Sequence, residues 1–118
     1  MLGSRSIRLL TGMAGAVALL TLTSATAFAA PSKTMDNLMA AYNGESNAHA
    51  RYVEFAKKAD LEGFAGAASL YRAAAAAEQT HARNHADVIT KLGGTPKAEI
   101  KPPEVKSTAE NLRAAIEG

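Results

Sequence analysis

Apolar residues return every three or four positions along two stretches of the chain, with one short interruption between them. In the first stretch the recurring set is Leu38, Tyr42, Glu45, His49, Tyr52, Ala56 and Ala59. In the second, Phe64, Tyr71, Glu78, His85 and Leu92 stand seven apart, and Ala68, Ala75, Ala82 and Ile89 alternate with them. Steps of three and four place each set on one face of a helix. The pattern therefore predicts two long helices packed face to face. Thr34 is the expected cap of the first, which starts at Met35 with Asp36 in its first turn, where the helix dipole favours negative charge. It runs to about Glu62, and Gly63 breaks it. The second runs from Phe64 to Leu92 and is stopped by Gly93-Gly94, with Pro96 just beyond. Residues 95–106 hold Pro96, Pro102 and Pro103 and read as an extended connector. Ser107-Thr108-Ala109-Glu110 reads as a capping box that opens a third helix. The expected fold is all-α: a helical hairpin, half of a four-helix bundle, plus the first turns of a third helix. The run Ala73–Ala77 favours helix and leaves room for a neighbouring helix to come close.

Composition agrees. Of 118 residues 27 are Ala, close to a quarter, and Gly and Pro together number 13. Ala has the best helix propensity, and Gly and Pro the worst. The length allows one domain. With no Cys, these residues carry no disulfide, thiolate zinc site, cysteine-ligated iron–sulfur centre or cysteine nucleophile.

The formal charge of +2 hints at a nucleic-acid or membrane partner. The first thirty residues remove the hint. Arg5 and Arg8 precede a stretch from Leu9 to Ser32 with no charged residue. Its apolar part is Leu9–Thr23, and Ala27-Phe28-Ala29 follows. A basic start, a short apolar run and a small-x-small box describe an export signal. Cleavage is expected after Ala29, with Ala25-Thr26-Ala27 as the second choice, which sends residues 30–118 to the periplasm. The alternative is an uncleaved membrane anchor, since about 20 uncharged residues can cross a bilayer. Without Arg5 and Arg8, eleven bases face eleven acids, so residues 30–118 are neutral. No basic stripe remains for nucleic acid.

Each apolar face carries ionisable groups in its middle. Glu45 lies between Tyr42 and Tyr52; Glu78 and His81 lie between Tyr71 and Ile89. A buried, unpaired carboxylate is costly. Three compensations stay open: the face is exposed, the groups hydrogen-bond to one another, or they ligate a metal. At 1.5 Å per residue, Glu45 and Glu78 stand about 27 Å and about 22 Å from the Gly63 turn. An antiparallel hairpin brings them to nearly the same height. His81 follows Glu78 by three and shares its face. A Glu facing Glu-x-x-His on the next helix is half of the di-metal carboxylate site built inside four-helix bundles. Carboxylate and imidazole suit iron or manganese, and zinc acceptably. His49 and His85, a turn or so further along, read as supporting or structural residues around such a site.

The chain also repeats itself. Residues 34–44 laid on residues 108–118 share six of eleven positions: Thr, Asn, Leu, Ala, Ala and Gly. The residue after the first copy is Glu45; the second copy ends at Gly118. A hairpin repeat that starts again at Thr108 and is cut short is the expected reading, since repeated helix pairs supply the full ligand set of such bundles.

The segment from Asn37 to Gly118 resembles the rubrerythrin family, of the ferritin-like superfamily. The residues that carry the resemblance are Asn37-Leu38, Gly44-Glu45-Ser46, Arg51-Tyr52, Phe55-Ala56, Ala59, Glu62-Gly63 and Glu78-x-x-His81-Ala82. Glu110-Asn111-Leu112, Ala115-Ile116 and Gly118 resemble the start of the family's third helix. The resemblance implies a di-iron centre and reduction of hydrogen peroxide, with Glu45, Glu78 and His81 as ligands and Tyr52 just outside them. The family's later helices supply further Glu residues and a second Glu-x-x-His, which these residues lack. Many members also carry a Cys-ligated rubredoxin domain. For this chain the resemblance implies an external, rubredoxin-like electron donor, and a homodimer would bring two half-sites together. The alternative is a non-catalytic exported helical module that binds metal or another protein.

Overall fold

The computed structural model describes residues 32–117. The expected export signal, residues 1–29, lies outside the described residues. Three helices follow in order: α1 over Ser32–Leu61, α2 over Ala65–Lys91 and α3 over Thr108–Glu117. There is no strand among the described residues. None of these helices is long and apolar enough to cross a membrane.

α1 starts three residues earlier than the sequence pattern predicts. Thr34 is inside the helix and caps nothing, and Asp36 falls beyond the first turn. Ser32, Lys33 and Thr34 are all exposed and simply prolong the helical backbone, since helix starts extend or fray at small cost. The other end matches the expected glycine stop. Phe64 N–H donates to the Ala59 carbonyl at 2.8 Å and Gly63 N–H to the Asp60 carbonyl at 3.1 Å. These paired bonds form a Schellman turn, which needs a left-handed residue; Gly63 supplies it with φ +80°. The same device ends α2, with Gly94 N–H on Ile89 at 2.9 Å and Gly93 N–H on Thr90 at 3.0 Å. A Cβ on Gly94 would stand 2.9 Å from Ile89 Cγ2 and 3.0 Å from Met35 Cε. The end of α2 thus packs on the start of α1, and the hairpin is antiparallel.

The tightest packing lies near the turn. Phe55, Ala56 and Ala59 of α1 meet Ala68 and Tyr71 of α2, with Tyr52, Ala67, Leu112 and Ala115 against them. The Phe55 and Tyr71 rings meet edge-on at 5.4 Å, and Tyr52 stacks on Tyr71 at 6.0 Å. Such pairs add about 0.5–1.5 kcal/mol each beyond the area they bury. Three expectations change here. Phe55 lies off the predicted seam yet is buried, because α3 covers that flank. Phe64 lies on the predicted seam yet is 55% exposed, because it follows the left-handed Gly63 and sits outside the helix. Of the Ala73–Ala77 run only Ala75 is buried, while Ala73, Ala76 and Ala77 face outward. Tyr71 is 2% exposed, and its hydroxyl has no hydrogen-bond partner among the described residues. Burial, with Tyr52 beside it, pushes its phenol above the ordinary tyrosine range.

The connector returns along α1 and is held by two asparagines one turn apart. Glu99 N–H donates to Asn43 Oδ1 at 2.8 Å and Lys101 N–H to Asn47 Oδ1 at 2.9 Å, while Asn47 Nδ2 donates to the Glu99 carbonyl at 2.8 Å. These bonds satisfy backbone groups that an extended segment leaves free. α3 then opens on the expected capping box. The Ser107 hydroxyl donates to Glu110, whose own N–H points back to Ser107 Oγ at 3.4 Å. Glu62 at the end of α1 clasps the same helix start: Thr108 donates to Glu62 Oε2 from its N–H at 2.8 Å and from its hydroxyl at 2.6 Å. Asn111, 2% exposed, turns both ends of its amide to the Lys106 backbone at 3.0 Å. α3 is thereby seated on the turn end of the hairpin.

Candidate metal centre

Glu45 comes from the middle of α1, and Glu78 and His81 from the facing stretch of α2. The antiparallel pairing brings them level, as the distances from the turn predict. One donor atom from each lies within 4.8 Å of the others. His81 Nδ1 donates to Glu78 Oε2 at 3.2 Å and stands 3.8 Å from Glu45 Oε2. The two glutamate side chains are mostly covered, while the imidazole is 55% exposed. Of the three compensations open at the level of sequence, two are visible together: the acids bond within the cluster, and one side of it meets solvent.

The electrostatics follow from crowding two carboxyls. The Glu78 carboxyl beside it, together with burial and the Glu78 charge, raises the Glu45 carboxyl above the ordinary carboxylate range. The Glu45 carboxyl in turn, with His81 and the Arg51 charge, holds Glu78 below it. Two like charges this close do not both ionise freely. Arg51 also places its guanidinium 5.3 Å from the centre of the Tyr52 ring. It thus ties the carboxylates to the aromatic packing below them.

The remaining sequence candidates separate. His49 Nδ1–H donates to the Ala75 carbonyl at 2.7 Å, a bond that crosses from α1 to α2. That role is structural, since it supplements the helix pairing with a side-chain tie. Tyr52 is in the aromatic stack with Phe55 and Tyr71. His85 is half-buried on the α2 face one turn beyond His81, and its charge lowers the Glu45 carboxyl. The sequence reading missed the asparagine clasp and the Glu62–Thr108 tie. The signal for the first was an Asn-x-x-x-Asn step on α1, long enough to serve two strides of an extended segment.

The donor set fits a transition metal. Two carboxylates and one imidazole are oxygen and nitrogen ligands of the kind iron, manganese and zinc accept. A positive ion between the two carboxylates would relieve their mutual repulsion.

The rubrerythrin family model matches residues 36–118. Nigerythrin of Nitratidesulfovibrio vulgaris is 38% identical over 86 residues, which is 72% of this chain and 43% of that protein. Rubrerythrin of Porphyromonas gingivalis is 38% identical over 89 residues, 74% of this chain and 44% of that protein. The chain therefore spans less than half the length of these curated relatives. No solved structure matches the chain closely enough to add to this. The matched span takes in all of α2 and α3, nearly all of α1, and each of Glu45, Glu78 and His81. On these grounds the chain belongs to the rubrerythrin family.

Proposed function

We propose that Glu45, Glu78 and His81 hold iron as half of a di-iron centre, and that the protein reduces hydrogen peroxide. The observation that carries this reading is the convergence of the three donors at one height of the hairpin. Family membership supports iron over manganese or zinc. A cation held by Glu45 and Glu78 would relieve the crowding of the two carboxyls, and the charge of Arg51 helps keep Glu78 ionised to receive it. His81, beside Glu78, would supply an imidazole nitrogen to the metal, and its open side gives a small molecule access. When bound, two ferrous ions supply the two electrons that reduce peroxide to water. Two copies of the hairpin, paired symmetrically, bring four carboxylates and two imidazoles together, which is the full set for two irons. Electrons come from a rubredoxin-like donor, as family membership supports. The pattern of residues 1–29 supports export to the periplasm.

A second reading is a metal-binding module without catalysis. The 55% exposure of His81 favours it, because water reaches the cluster freely. Peroxide turnover separates the two. The full chain, loaded with ferrous iron without oxygen and given a reduced rubredoxin, is expected to consume peroxide well above free ferrous ion. The Glu78→Ala variant is expected at background. Iron uptake with no turnover above background would overturn peroxide reduction and leave the module.

A further inference from the structure

α2 meets α1 along one face, marked by the buried Tyr71, Ala75, Ala82 and Ile89. A second stripe runs along the same helix and stays open. Leu70, Ala74, Ala77, His81, Asn84 and Val88 follow one another at steps of four, three, four, three and four. That alternation is the seam of two helices wound on each other. The stripe carries no Asp, Glu, Lys or Arg, although charged residues are the rule on a solvated helix face. Leu70 is 60% exposed and Val88 41%, and these are the two large apolar side chains that α2 leaves open. His81 of the cluster lies in the middle of the stripe, its ring turned to solvent. The opposite side of α2 carries Arg72, Arg83 and Asp87 and reads as an ordinary solvated face.

We infer that this stripe is the surface on which a second copy of the chain pairs, α2 against α2 in opposite directions. The inference rests on the reading of Glu45, Glu78 and His81 as half of a di-iron centre, and it names the surface that joins the halves. Self-complementarity points to a second copy. In a two-fold pairing, if one residue meets a second, the second meets the first. Laid on itself antiparallel, the stripe sets Leu70 opposite the partner's Val88, Ala74 opposite the partner's Asn84 and Ala77 opposite the partner's His81. The two open apolar side chains of α2 thus cover each other at both ends. The alanines between them let the helices come close, and a single Asn in such a seam fixes its register. The two-fold axis passes at the level of Gln79, between Glu78 and His81, so the two half-sites lie on either side of it.

The chain has no Cys, so introduced disulfides report the pairing directly. Positions 74 and 84 are ten residues apart on one helix, about 15 Å, too far for a disulfide within one chain. In the full chain, Ala74→Cys/Asn84→Cys is expected to form a covalent dimer under mild oxidation, with the 74–84 link found by mass spectrometry of its peptides. Ala76→Cys/Thr90→Cys, on the solvated side, is expected to stay monomeric. Sedimentation of the unaltered chain is expected to show a dimer. Leu70→Lys/Val88→Lys weakens it by at least about tenfold, because like charges then face each other, and Leu70→Lys/Val88→Glu restores it. Far-ultraviolet circular dichroism checks that each variant keeps its helices. Absence of the 74–84 link, equal linking on the solvated side, or a dimer untouched by the paired lysines would overturn the inference. Iron held by a chain that sediments as a monomer would also overturn it and leave the metal reading standing. A dimer linked at 74–84 that takes up no iron would uphold the pairing and overturn the metal reading.

Discussion

The two halves of the hairpin use one helix seam in opposite ways. Near the turn, Phe55, Ala59, Ala68 and Tyr71 close on one another, and α3 lies over their flank. Further along, the same seam carries Glu45, Glu78 and His81, with the imidazole open to solvent. The difference is the third layer. Where the chain lays α3 over the hairpin, the seam is apolar and dry. Where the described residues put nothing over it, the seam holds charge, and the charges satisfy one another. Packing is thus tightest at the turn end, Ile89 is buried at the far end, and the chemistry lies between them.

If stability resides at the turn end, damage there should be large and should spare the cluster. Phe55→Ala removes a buried ring that touches both tyrosines and is expected to cost about 3–5 kcal/mol. Chemical denaturation of the variant measures it, and a loss well below 1 kcal/mol would place the core elsewhere. Next in size is the seating of α3. Two bonds from Thr108 and one from Lys58 hold the Glu62 carboxyl down at about 2, against an ordinary 4.5. A carboxylate lowered on folding lends its full stability above the ordinary value, and that is lost as pH falls towards the folded one. α3 is therefore expected to loosen between about pH 4.5 and 2. Amide exchange at Thr108–Asn111 should follow that window and lose its acid dependence in Glu62→Gln. The smallest effect sharpens the picture of the dry end. Tyr71→Phe removes a buried hydroxyl that has no partner. A lone buried polar group costs about 1–3 kcal/mol, so the variant is expected to be as stable as the parent or slightly more so. A clear loss of stability would mean that the hydroxyl has a partner after all.

The same contrast explains what could be read from the sequence. The helices, both glycine stops, the capping box and the matched heights of Glu45 and Glu78 follow from spacing and turn chemistry, which are local. Phe55 was hidden because its neighbour is α3, more than fifty residues away in sequence. Phe64 fitted the period but belongs to the turn, where the left-handed Gly63 and not the helix decides direction. The start of α1 was misplaced because Thr34 is a good cap in general, and nothing nearby forces the helix to begin there. The connector's path was invisible, since two exposed asparagines look like solvated surface until a backbone is laid against them.

The central claim is that Glu45, Glu78 and His81 form a metal site. Native mass spectrometry of the full chain after anaerobic ferrous loading tests it most directly, with the Glu78→Ala/His81→Ala double variant beside it. The expected result is iron retained by the unaltered chain, two ions in any dimer, and none on the double variant, which keeps its helical content. A folded parent chain that stays free of iron, or a double variant that holds as much, would contradict it.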